Sequence, residues 1–398
     1  MALVGGCLSA LAALGRVAFS FATIGISGQL NDFYAYWAAG VLLNRGQDPY
    51  NVAALTAVQR AAGLYIETGS GFSYPLFFAH LMRPLALLPP PTAAAIFSVL
   101  SLVALAFAVA LLLRSLPQLG WPLALAGGVV AGLFPPVIGS LYFGQANLFV
   151  LLLLALAYRA VFPGVMLGIA GAVKLYPVGG FLTALTARPP RWRVVIVGIG
   201  VLGTLLLLQI GTGGGTLSGR SQYFLGPDTY WSNESINGWL SRLGIASTWT
   251  HAPFPGLPVD ALMLAIVVLF TVATVVVLVR APGHPWDGAL ALSLWLGVVS
   301  APKNSLWNFT PLLLAITFVV ARLGGRWWLG ALGVVGWLLI ELQAQLDGAR
   351  ETIYQASPAL AWLSSVGLYG AFILGGLCAY VLLRPGLNAG GHRLGGRG

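Results

Sequence analysis

Two ionisable residues in apolar surroundings could take part in chemistry, and the first of them is an acid. Asp32 lies in the segment NDFYAYWAAG at 31–40, directly after a long apolar run. A carboxylate at that boundary, facing a cavity, can accept a proton from an attacking hydroxyl group, as a general base does. Asn and Asp also cap helix N-termini well, so Asn31 or Asp32 could serve only as a cap. Both interpretations of Asp32 stay open.

The second residue is Lys174, which lies inside the apolar run 164–186, far from either end. A lysine at that depth of a membrane helix costs about 2.5–3.5 kcal/mol on insertion scales. Pro177 would loosen the helix nearby and help to open a water-filled pocket. We therefore expect Lys174 to bind an anion such as a lipid phosphate. The alternative is that Lys174 snorkels: its aliphatic chain stays in the apolar region while its ammonium group reaches the membrane interface.

Further polar residues are candidate substrate contacts. Gln145 and Asn147 begin an apolar segment, where they could cap a helix or make polar contacts within a bundle. Asn233 and Glu234 precede Arg242, and an arginine beside a sheltered carboxylate and amides could bind phosphate or sugar hydroxyls. A loop helix with an Arg–Glu pair is the alternative for these three residues.

Three candidates lie in a late polar turn, SAPKNSLWN at 300–308, and one lies before it. The turn contains Lys303, Trp307 and Asn308, and Lys303 is the second lysine of the chain. Tyr74 belongs to the Ser-Tyr-Pro sequence that opens an apolar run near the first polar segment. All four residues are predicted to contact substrate.

Composition restricts the class of protein that positions these residues. The chain has 398 residues, of which 58% are hydrophobic and 8% charged, with a net charge of +10. Soluble domains carry about 25% charged residues, so a soluble enzyme, a disordered protein and a nucleic-acid-binding module are excluded. The basic excess is typical of cytoplasmic loops in membrane proteins. The sequence indicates a polytopic helical membrane protein.

The apolar runs predict an all-α transmembrane bundle of about twelve spans, with a range of about 10–13. We place the spans near 3–27, 73–89, 92–113, 121–139, 145–161, 164–186, 192–211, 259–280, 286–300, 306–322, 327–346 and 358–383. Two long polar segments, at about 28–72 and 212–258, interrupt them. The bundle forms one domain over 1–383, and the glycine-rich basic tail 384–398 is predicted to be disordered.

The distribution of arginines predicts the orientation. Counting spans places both polar segments and the 300–308 turn on one side, and most arginines on the other. Positively charged loops remain in the cytoplasm, so the candidate site faces the extracytoplasmic side of the plasma membrane. Arg114 and Arg159 do not fit this order, so a segment between 92 and 161 is re-entrant or miscounted.

The first polar segment is predicted to contain helices at the membrane surface. Phe33, Tyr36, Trp37, Gly40 and Val41 recur at helical spacing. Such an aromatic face is suited to the headgroup region of a bilayer.

Sequence patterns for metals and nucleotides are missing. His80, His251, His284 and His392 are scattered without ligand spacing. The chain has no Walker motif and no dinucleotide-binding glycine pattern after a strand. We therefore expect no metal, no cofactor and no nucleic-acid partner.

These landmarks together resemble glycosyltransferase family 87. The pieces that match are NDFYAYWAAGVLLNRGQDPY at 31–50, SYPL at 73–76, GQAN at 144–147, KLYP at 174–177 and NESINGWLSRL at 233–243. The resemblance implies a GT-C-type membrane enzyme that takes a sugar from a polyprenyl phosphate at the outer face. It also implies that Asp32 is the catalytic base, and it maps the lysine–proline pair of the family onto Lys174 and Pro177. Many members carry two histidines in the late turn. This chain has Asn308 there and no histidine.

The function expected from the resemblance is inverting glycosyl transfer from a polyprenyl-phosphate sugar to a lipid or polysaccharide acceptor. The sugar is mannose, with arabinose or another hexose as alternatives. Asp32 would deprotonate the acceptor hydroxyl, and Lys174 and Arg242 would stabilise charge on the departing phosphate. The rival is a transporter or flippase of a lipid-linked or anionic substrate. Transporters often have paired halves with internal pseudo-symmetry, and this sequence has no visible repeat.

Overall fold

A computed structural model describes residues 1–24, 30–64, 71–207, 226–349, 353–354 and 356–384. All regular structure within these ranges is helical, so the all-α prediction is confirmed. The residues 212–225 of the second predicted polar segment, and the predicted disordered tail beyond Arg384, lie outside the described residues.

The described residues form seventeen α-helices. They are α1 (Ala2–Ile24), α2 (Asn31–Asn44), α3 (Val52–Ala61), α4 (Leu76–Met82), α5 (Pro90–Leu113), α6 (Trp121–Gly132), α7 (Pro135–Tyr142), α8 (Asn147–Tyr158), α9 (Pro163–Val173), α10 (Phe181–Thr186), α11 (Trp192–Leu207), α12 (Ile236–Gly244), α13 (Val259–Arg280), α14 (Trp286–Ser300), α15 (Leu312–Val320), α16 (Trp327–Gly348) and α17 (Val366–Leu382). Short 3₁₀ helices lie at Leu85–Leu87, Tyr176–Gly180, Leu306–Phe309 and Pro358–Ser365.

Length and composition identify five helical segments of the described chain that could cross a bilayer. They are Ala2–Ala22, Pro90–Leu113, Val259–Arg280, Trp327–Gly348 and Pro358–Leu382. Helices α6 and α7 form one more apolar pair, which is bent by 48°. Five further apolar helices are shorter than 18 residues. The apolar helices fit a membrane protein, while the count of twelve spans stays a prediction.

The predicted span 73–89 does not form one long helix. It contains α4, whose 7 residues extend only about 10 Å, followed by a 3₁₀ turn that returns to α2. The indole Nε1 of Trp37 donates to the carbonyl of Leu88 over 3.1 Å, and Asn44 Nδ2 donates to the carbonyl of Arg83 over 3.1 Å. This segment therefore stays beside α2, and α5 begins at the same end of the molecule.

The predicted span 164–186 is also different, because it forms a helical hairpin. Helix α9 ends at Val173, Lys174 has extended backbone angles, and the 3₁₀ turn Tyr176–Gly180 reverses the chain into α10. The backbone N–H of Arg191 donates to the carbonyl of Ala184. Three residues later, Val194 packs against the start of α9, where a Cβ atom on Gly164 would lie 3.2 Å from its Cα. Lys174 lies at the tip of this hairpin.

Side-chain contacts join several loops at one end of the bundle, which we call the arginine-rich end. The contacts are Arg159 to Ser115, Arg322 to Asp287, Gln118 to Ala321, Arg191 to the ring of Trp286, and Trp286 to the carbonyl of Ala157. Arg114 follows α5 at this same end. The two arginines that the predicted span order leaves on the wrong side thus join the others. The predicted order counts 73–89 as a crossing and 164–186 as one crossing rather than a hairpin, and these two differences cancel in the predicted order of the later loops.

Small residues allow α1 to pack closely between α5 and α6. A Cβ atom on Gly128 of α6 would lie 2.8 Å from the carbonyl carbon of Gly5, and one on Gly132 would lie 2.8 Å from that of Ser9. Membrane helices approach each other in this way where side chains are small. The interface fixes α1 against α6.

Helix α2 itself is buried inside the protein, so the prediction that its aromatic face lies among lipid headgroups is wrong. Phe33 and Tyr36 are almost fully buried, and Trp37 and Val41 are also buried. The ring of Phe33 packs at 5.0 Å from that of Phe97 on α5. The predicted helices of the first polar segment do exist, as α2 and α3, but protein surrounds α2.

Candidate functional site

The start of α2 determines what the carboxylate of Asp32 can do. Leu30 has a left-handed backbone (φ 54°), and its N–H donates to the carbonyl of Tyr142 over 2.9 Å. The N–H groups of Asp32 and Phe33 both donate to the carbonyl of Phe143, over 3.1 and 3.4 Å. The first N–H groups of a helix need partners from outside it, and here backbone carbonyls from the end of α7 provide them. Leu30, and neither Asn31 nor Asp32, holds the N-cap position, and among the described residues it makes no side-chain capping bond. The cap interpretation of Asn31 and Asp32 is therefore wrong.

Gly144 makes this approach possible. Its φ is +67°, and a Cβ atom there would lie 2.6 Å from Cβ of Phe33. Glycine adopts such a backbone without steric cost. The glycine therefore allows the 143–145 segment to reach α2 and directs the next side chain, Gln145, toward Asp32.

Gln145 joins the two ionisable residues that the sequence singled out. Its Nε2 donates a hydrogen bond to Oδ2 of Asp32. Its Oε1 accepts hydrogen bonds from Nζ of Lys174 over 2.9 Å and from the hydroxyl of Tyr74 over 2.8 Å. Asp32, Tyr74, Gln145 and Lys174 come from four separate parts of the chain and form one cluster, which we call the Asp–Gln–Lys cluster.

The electrostatics of the cluster suit proton transfer near neutral pH. Burial raises the pKa of Asp32 to about 6, although the nearby ammonium of Lys174 and the hydrogen bond from Gln145 both lower it. A general base works best when its pKa is close to the operating pH. Within the described residues, Oδ2 is the carboxylate oxygen that accepts this hydrogen bond, which leaves Oδ1 available to accept a proton.

Aromatic rings form one wall of the cluster. Nζ of Lys174 lies 4.6 Å from the centre of the Tyr74 ring, a cation–π contact. The Tyr74 ring in turn packs against Tyr36 at 4.7 Å and Phe78 at 4.9 Å. Sequence analysis missed Tyr36 as a site residue, although it follows Asp32 by four positions and so shares its helix face.

Asn147 and the late turn lie next to the cluster. Nδ2 of Asn147 donates to the carbonyl of Trp307 over 2.9 Å and to Oγ of Ser140 over 3.1 Å. The ring of Trp307 lies 4.4 Å from that of Phe143, whose carbonyl holds the start of α2. Asn308 is buried, and its Oδ1 has no hydrogen-bond partner. The structure thus brings Asn147, Trp307 and Asn308 near the cluster, with Asn147 in a packing contact.

Arg242 lies elsewhere, and protein acceptors surround its guanidinium group. Its side chain is 0% exposed and 3.4 Å from Glu234 Oε1. Its nitrogens also donate to the carbonyls of Tyr230, Asn233 and Ser364 and to the hydroxyls of Ser364 and Ser365, over 2.7–2.9 Å. Hydrogen-bond acceptors of the protein therefore lie on every side of the guanidinium group. This geometry supports the Arg–Glu alternative, in a buried rather than a solvated form.

Asn233 connects the second polar segment to the late turn. Its Oδ1 accepts from the backbone N–H of Asn304 over 3.0 Å, and the N–H of Glu234 donates to the carbonyl of Asn304 over 2.6 Å. Lys303 lies 3.2 Å from Asp228 and is 41% exposed. Asn233 and Glu234 therefore hold the turn that carries Lys303 and Trp307, and the structure places them outside the Asp–Gln–Lys cluster.

Other candidate sites in the described residues are few. No group of three or more His, Cys, Asp or Glu residues within the described ranges could hold a metal ion. An apolar cavity of about 350 Å³ lies between α5, α6, α15 and α16. Its lining includes Leu116, Gly127, Ile316 and Trp337 and contains no ionisable side chain. It lies toward the arginine-rich end, away from Asp32.

An all-helical chain with several helices long and apolar enough to cross a bilayer, and with a polar cluster among them, belongs to the class of polytopic membrane proteins. The model of glycosyltransferase family 87 matches residues 72–302, more than half of the chain. The protein is therefore a member of glycosyltransferase family 87, as the sequence motifs indicate, and a glycosyltransferase. No curated protein and no solved structure matches it significantly.

The matched range contains part of the cluster. Tyr74, Gln145 and Lys174 lie inside residues 72–302, whereas Asp32 and Trp307 lie outside. Two other observations therefore support a role for Asp32, namely its contact with Gln145 and the motif at 31–50.

Proposed function

We propose that this glycosyltransferase transfers a sugar from a polyprenyl-phosphate donor to a hydroxyl group of a lipid or polysaccharide acceptor, with inversion at the anomeric carbon. Mannose is the sugar that the family resemblance favours, with arabinose or another hexose as alternatives. The observation that carries the proposal is the meeting of Asp32 and Lys174 at Gln145. A carboxylate and an ammonium group held near each other can act in one displacement reaction. The carboxylate can deprotonate the attacking hydroxyl, and the ammonium group can stabilise the departing phosphate.

Asp32 acts on the acceptor. Its carboxylate takes the proton of the acceptor hydroxyl while the hydroxyl oxygen forms a bond to the anomeric carbon. The bond between that carbon and the phosphate oxygen breaks, and polyprenyl phosphate leaves with the electron pair. The pKa of Asp32, about 6, supports this role because the group is ionised at neutral pH and still basic.

Lys174 acts on the donor. Lys174 lies at the hairpin tip and is largely shielded from solvent, which reduces the screening of its charge by water. It would contact the phosphate and stabilise the negative charge that develops as the sugar departs. Tyr74 and Gln145 hold the ammonium without neutralising it, because neither carries a charge.

The site faces the extracytoplasmic side in this proposal. The arginine-rich end, with Arg159, Arg191 and Arg322, is the end that positively charged loops would keep in the cytoplasm. Helices α8 and α9 have only 12 and 11 residues, fewer than the roughly 20 that cross a bilayer. Gln145 and Lys174, at their far ends, would thus lie below the outer surface, where a lipid-linked donor can reach them.

The remaining candidates divide into two groups. Trp307, Asn308 and Lys303 belong to the turn beside the cluster, and we keep them as candidate contacts of donor or acceptor. Arg242, Asn233 and Glu234 make contacts that support a structural role, so the proposal assigns the phosphate to Lys174 alone.

The test compares wild type with Asp32→Asn in membranes that contain the enzyme, using a radiolabelled sugar on polyprenyl phosphate. Asn keeps the size of Asp but cannot take the proton, so transfer should fall about 10²- to 10⁴-fold. Equal photolabelling by a donor analogue would show that the variant still binds donor. Unchanged transfer would remove Asp32 from the mechanism. Movement of labelled lipid across vesicles without any transfer, by both proteins, would favour the transporter alternative.

A further inference from the structure

We propose that Gln145 is a positioning residue, which fixes the carboxylate of Asp32 and the ammonium of Lys174 relative to each other and does not itself contact substrate. This inference rests on the proposed function and assigns to Gln145 a role other than the substrate contact expected from the sequence. It follows from the direction of the Gln145 amide, its burial and the backbone that supports it.

The hydrogen bonds of the cluster determine the direction of the amide. Lys174 Nζ and the Tyr74 hydroxyl are donors, and both point at one end of the Gln145 side chain. Only an oxygen can accept them, so that end is Oε1. The other end must then be the –NH₂ group, which donates to Asp32 Oδ2. A rotated amide would place N–H groups against the ammonium of Lys174, which can only donate, and an oxygen against a carboxylate.

This direction has a consequence for each charged residue. A donor on Oδ2 stabilises the ionised form of Asp32 and restricts its rotation, so Oδ1 is the oxygen that meets the acceptor hydroxyl. An acceptor at Lys174 occupies one N–H of the ammonium, which leaves two for the phosphate. Gln145 thus separates the opposite charges of Asp32 and Lys174, which would otherwise be free to form a direct ion pair.

Burial and backbone support hold Gln145 in this place. The residue is only 7% exposed, which leaves little of it for a ligand. Its backbone N–H donates to the carbonyl of Ser140 over 2.7 Å, and the preceding Gly144 adopts φ +67°. The side chain is therefore fixed from α7 on one side and by three polar partners on the other. Such a residue acts through its neighbours.

The experiment measures kcat, donor KM and acceptor KM against pH for wild type, Gln145→Ala and Gln145→Asn. Gln145→Ala removes the donor to Asp32, so the carboxylate is harder to ionise and the acidic limb of kcat moves to higher pH. We also expect kcat at neutral pH to fall by about 10- to 100-fold, as misplaced catalytic groups do, and donor KM to rise. Gln145→Asn keeps the amide but is one methylene shorter, and we expect only partial activity. Gln118→Ala, at the arginine-rich end, is the matched control and should leave all three quantities unchanged.

Two further variants keep the inference falsifiable if Gln145→Ala does not fold. Tyr74→Phe retains the ring and removes one of the two donors that orient the amide, and it should move the acidic limb in the same direction. In a double-mutant cycle, Gln145→Asn and Lys174→Met should affect transfer non-additively, because the two residues share one network.

The outcomes distinguish the inference from the proposed function. If Asp32→Asn abolishes transfer while Gln145→Ala changes neither the pH limb nor KM, Gln145 is not a positioning residue and the proposed function stands. If Gln145→Ala raises acceptor KM with an unchanged pH profile, Gln145 contacts substrate, and the inference is wrong. If Asp32→Asn transfers sugar normally, the proposed function fails, and the positioning role fails with it.

Discussion

The backbone N–H of Asp32 donates to the carbonyl of Phe143 over 3.1 Å, and this contact frees the carboxylate of Asp32 from capping its own helix. An acid at the start of a helix is most often a cap. Here the end of α7 satisfies the backbone of α2, and the side chain turns to Gln145 instead. The same 143–145 segment therefore both caps α2 and carries the residue that holds the carboxylate.

The first prediction concerns pH. Asp32 must be ionised to accept a proton, and burial raises its pKa to about 6. Transfer should therefore rise with pH between about pH 5 and 7 and then level off, where an ordinary Asp, with a pKa near 3.9, would give a constant rate. The measurement is kcat in detergent or nanodiscs across that range. A rate that is flat from pH 4.5 to 7 would contradict the assignment of Asp32 as base.

The second prediction concerns donor binding. Lys174→Met keeps the stem and removes the ammonium group, so donor KM should rise and turnover should fall while the protein stays folded. Arg83→Met is the control, because Arg83 is exposed and its Nε donates to Asn44 at the end of α2 opposite Asp32. It removes one positive charge at a site away from the cluster and should have a small effect. Equal effects of the two variants would contradict a specific role for Lys174.

The third prediction separates a structural Arg242 from one that binds substrate. Arg242→Met leaves Glu234 buried without its partner, and breaking such a pair costs about 3–5 kcal/mol. The melting temperature in detergent, followed by tryptophan fluorescence, should fall sharply. Adding Glu234→Gln should restore part of it, because the uncompensated charge is gone. A normal melting temperature with a raised donor KM would instead show that Arg242 binds the phosphate.

The fourth prediction uses two adjacent glycines of α6. Gly128→Ala places a Cβ atom 2.8 Å from the carbonyl carbon of Gly5, and such overpacking costs about 1–3 kcal/mol. Gly127→Ala meets only Leu113 at 3.6 Å and should be neutral or stabilising, since alanine favours helix by about 1 kcal/mol over glycine. Melting temperatures of the two variants provide the comparison. Similar values would mean that α1 does not pack on α6 as closely as the structure has it.

The fifth prediction tests the side on which the loop after α5 lies. In a background of Cys7→Ala and Cys378→Ala, single cysteines at Asp48 and Gln118 are treated with an impermeant thiol reagent in intact cells. Counting 73–89 as a crossing places both positions outside. Because α4 returns to α2, we expect Asp48→Cys to react and Gln118→Cys to react only after the membrane is opened. Labelling of both in intact cells would show that 73–89 crosses the membrane.

The sequence by itself determined the class of this protein and the residues worth examining. Its apolar runs are long and its charges few, and such a chain can satisfy its backbone in a bilayer only as helices or a closed barrel. Asp32 and Lys174 were recognisable because an ionisable group next to or within an apolar run is costly unless it has a use. Motif order was sufficient to identify the family, which the match over residues 72–302 confirms.

Only the tertiary structure decided which of these residues meet. A span count depends on run length alone, so it could not tell that 73–89 returns to α2 or that 164–186 folds back at Lys174. Those two turns bring Gln145 and Lys174 to the same end as Asp32, and no local pattern encodes a contact between segments more than 100 residues apart. Arg242 and Lys174 are both basic residues near apolar and polar neighbours in the sequence, and the sequence predicts that both bind the phosphate. They differ because protein acceptors surround the guanidinium group of Arg242 on every side, whereas Lys174 is a partly exposed residue whose ammonium group donates to Gln145 beside the carboxylate of Asp32.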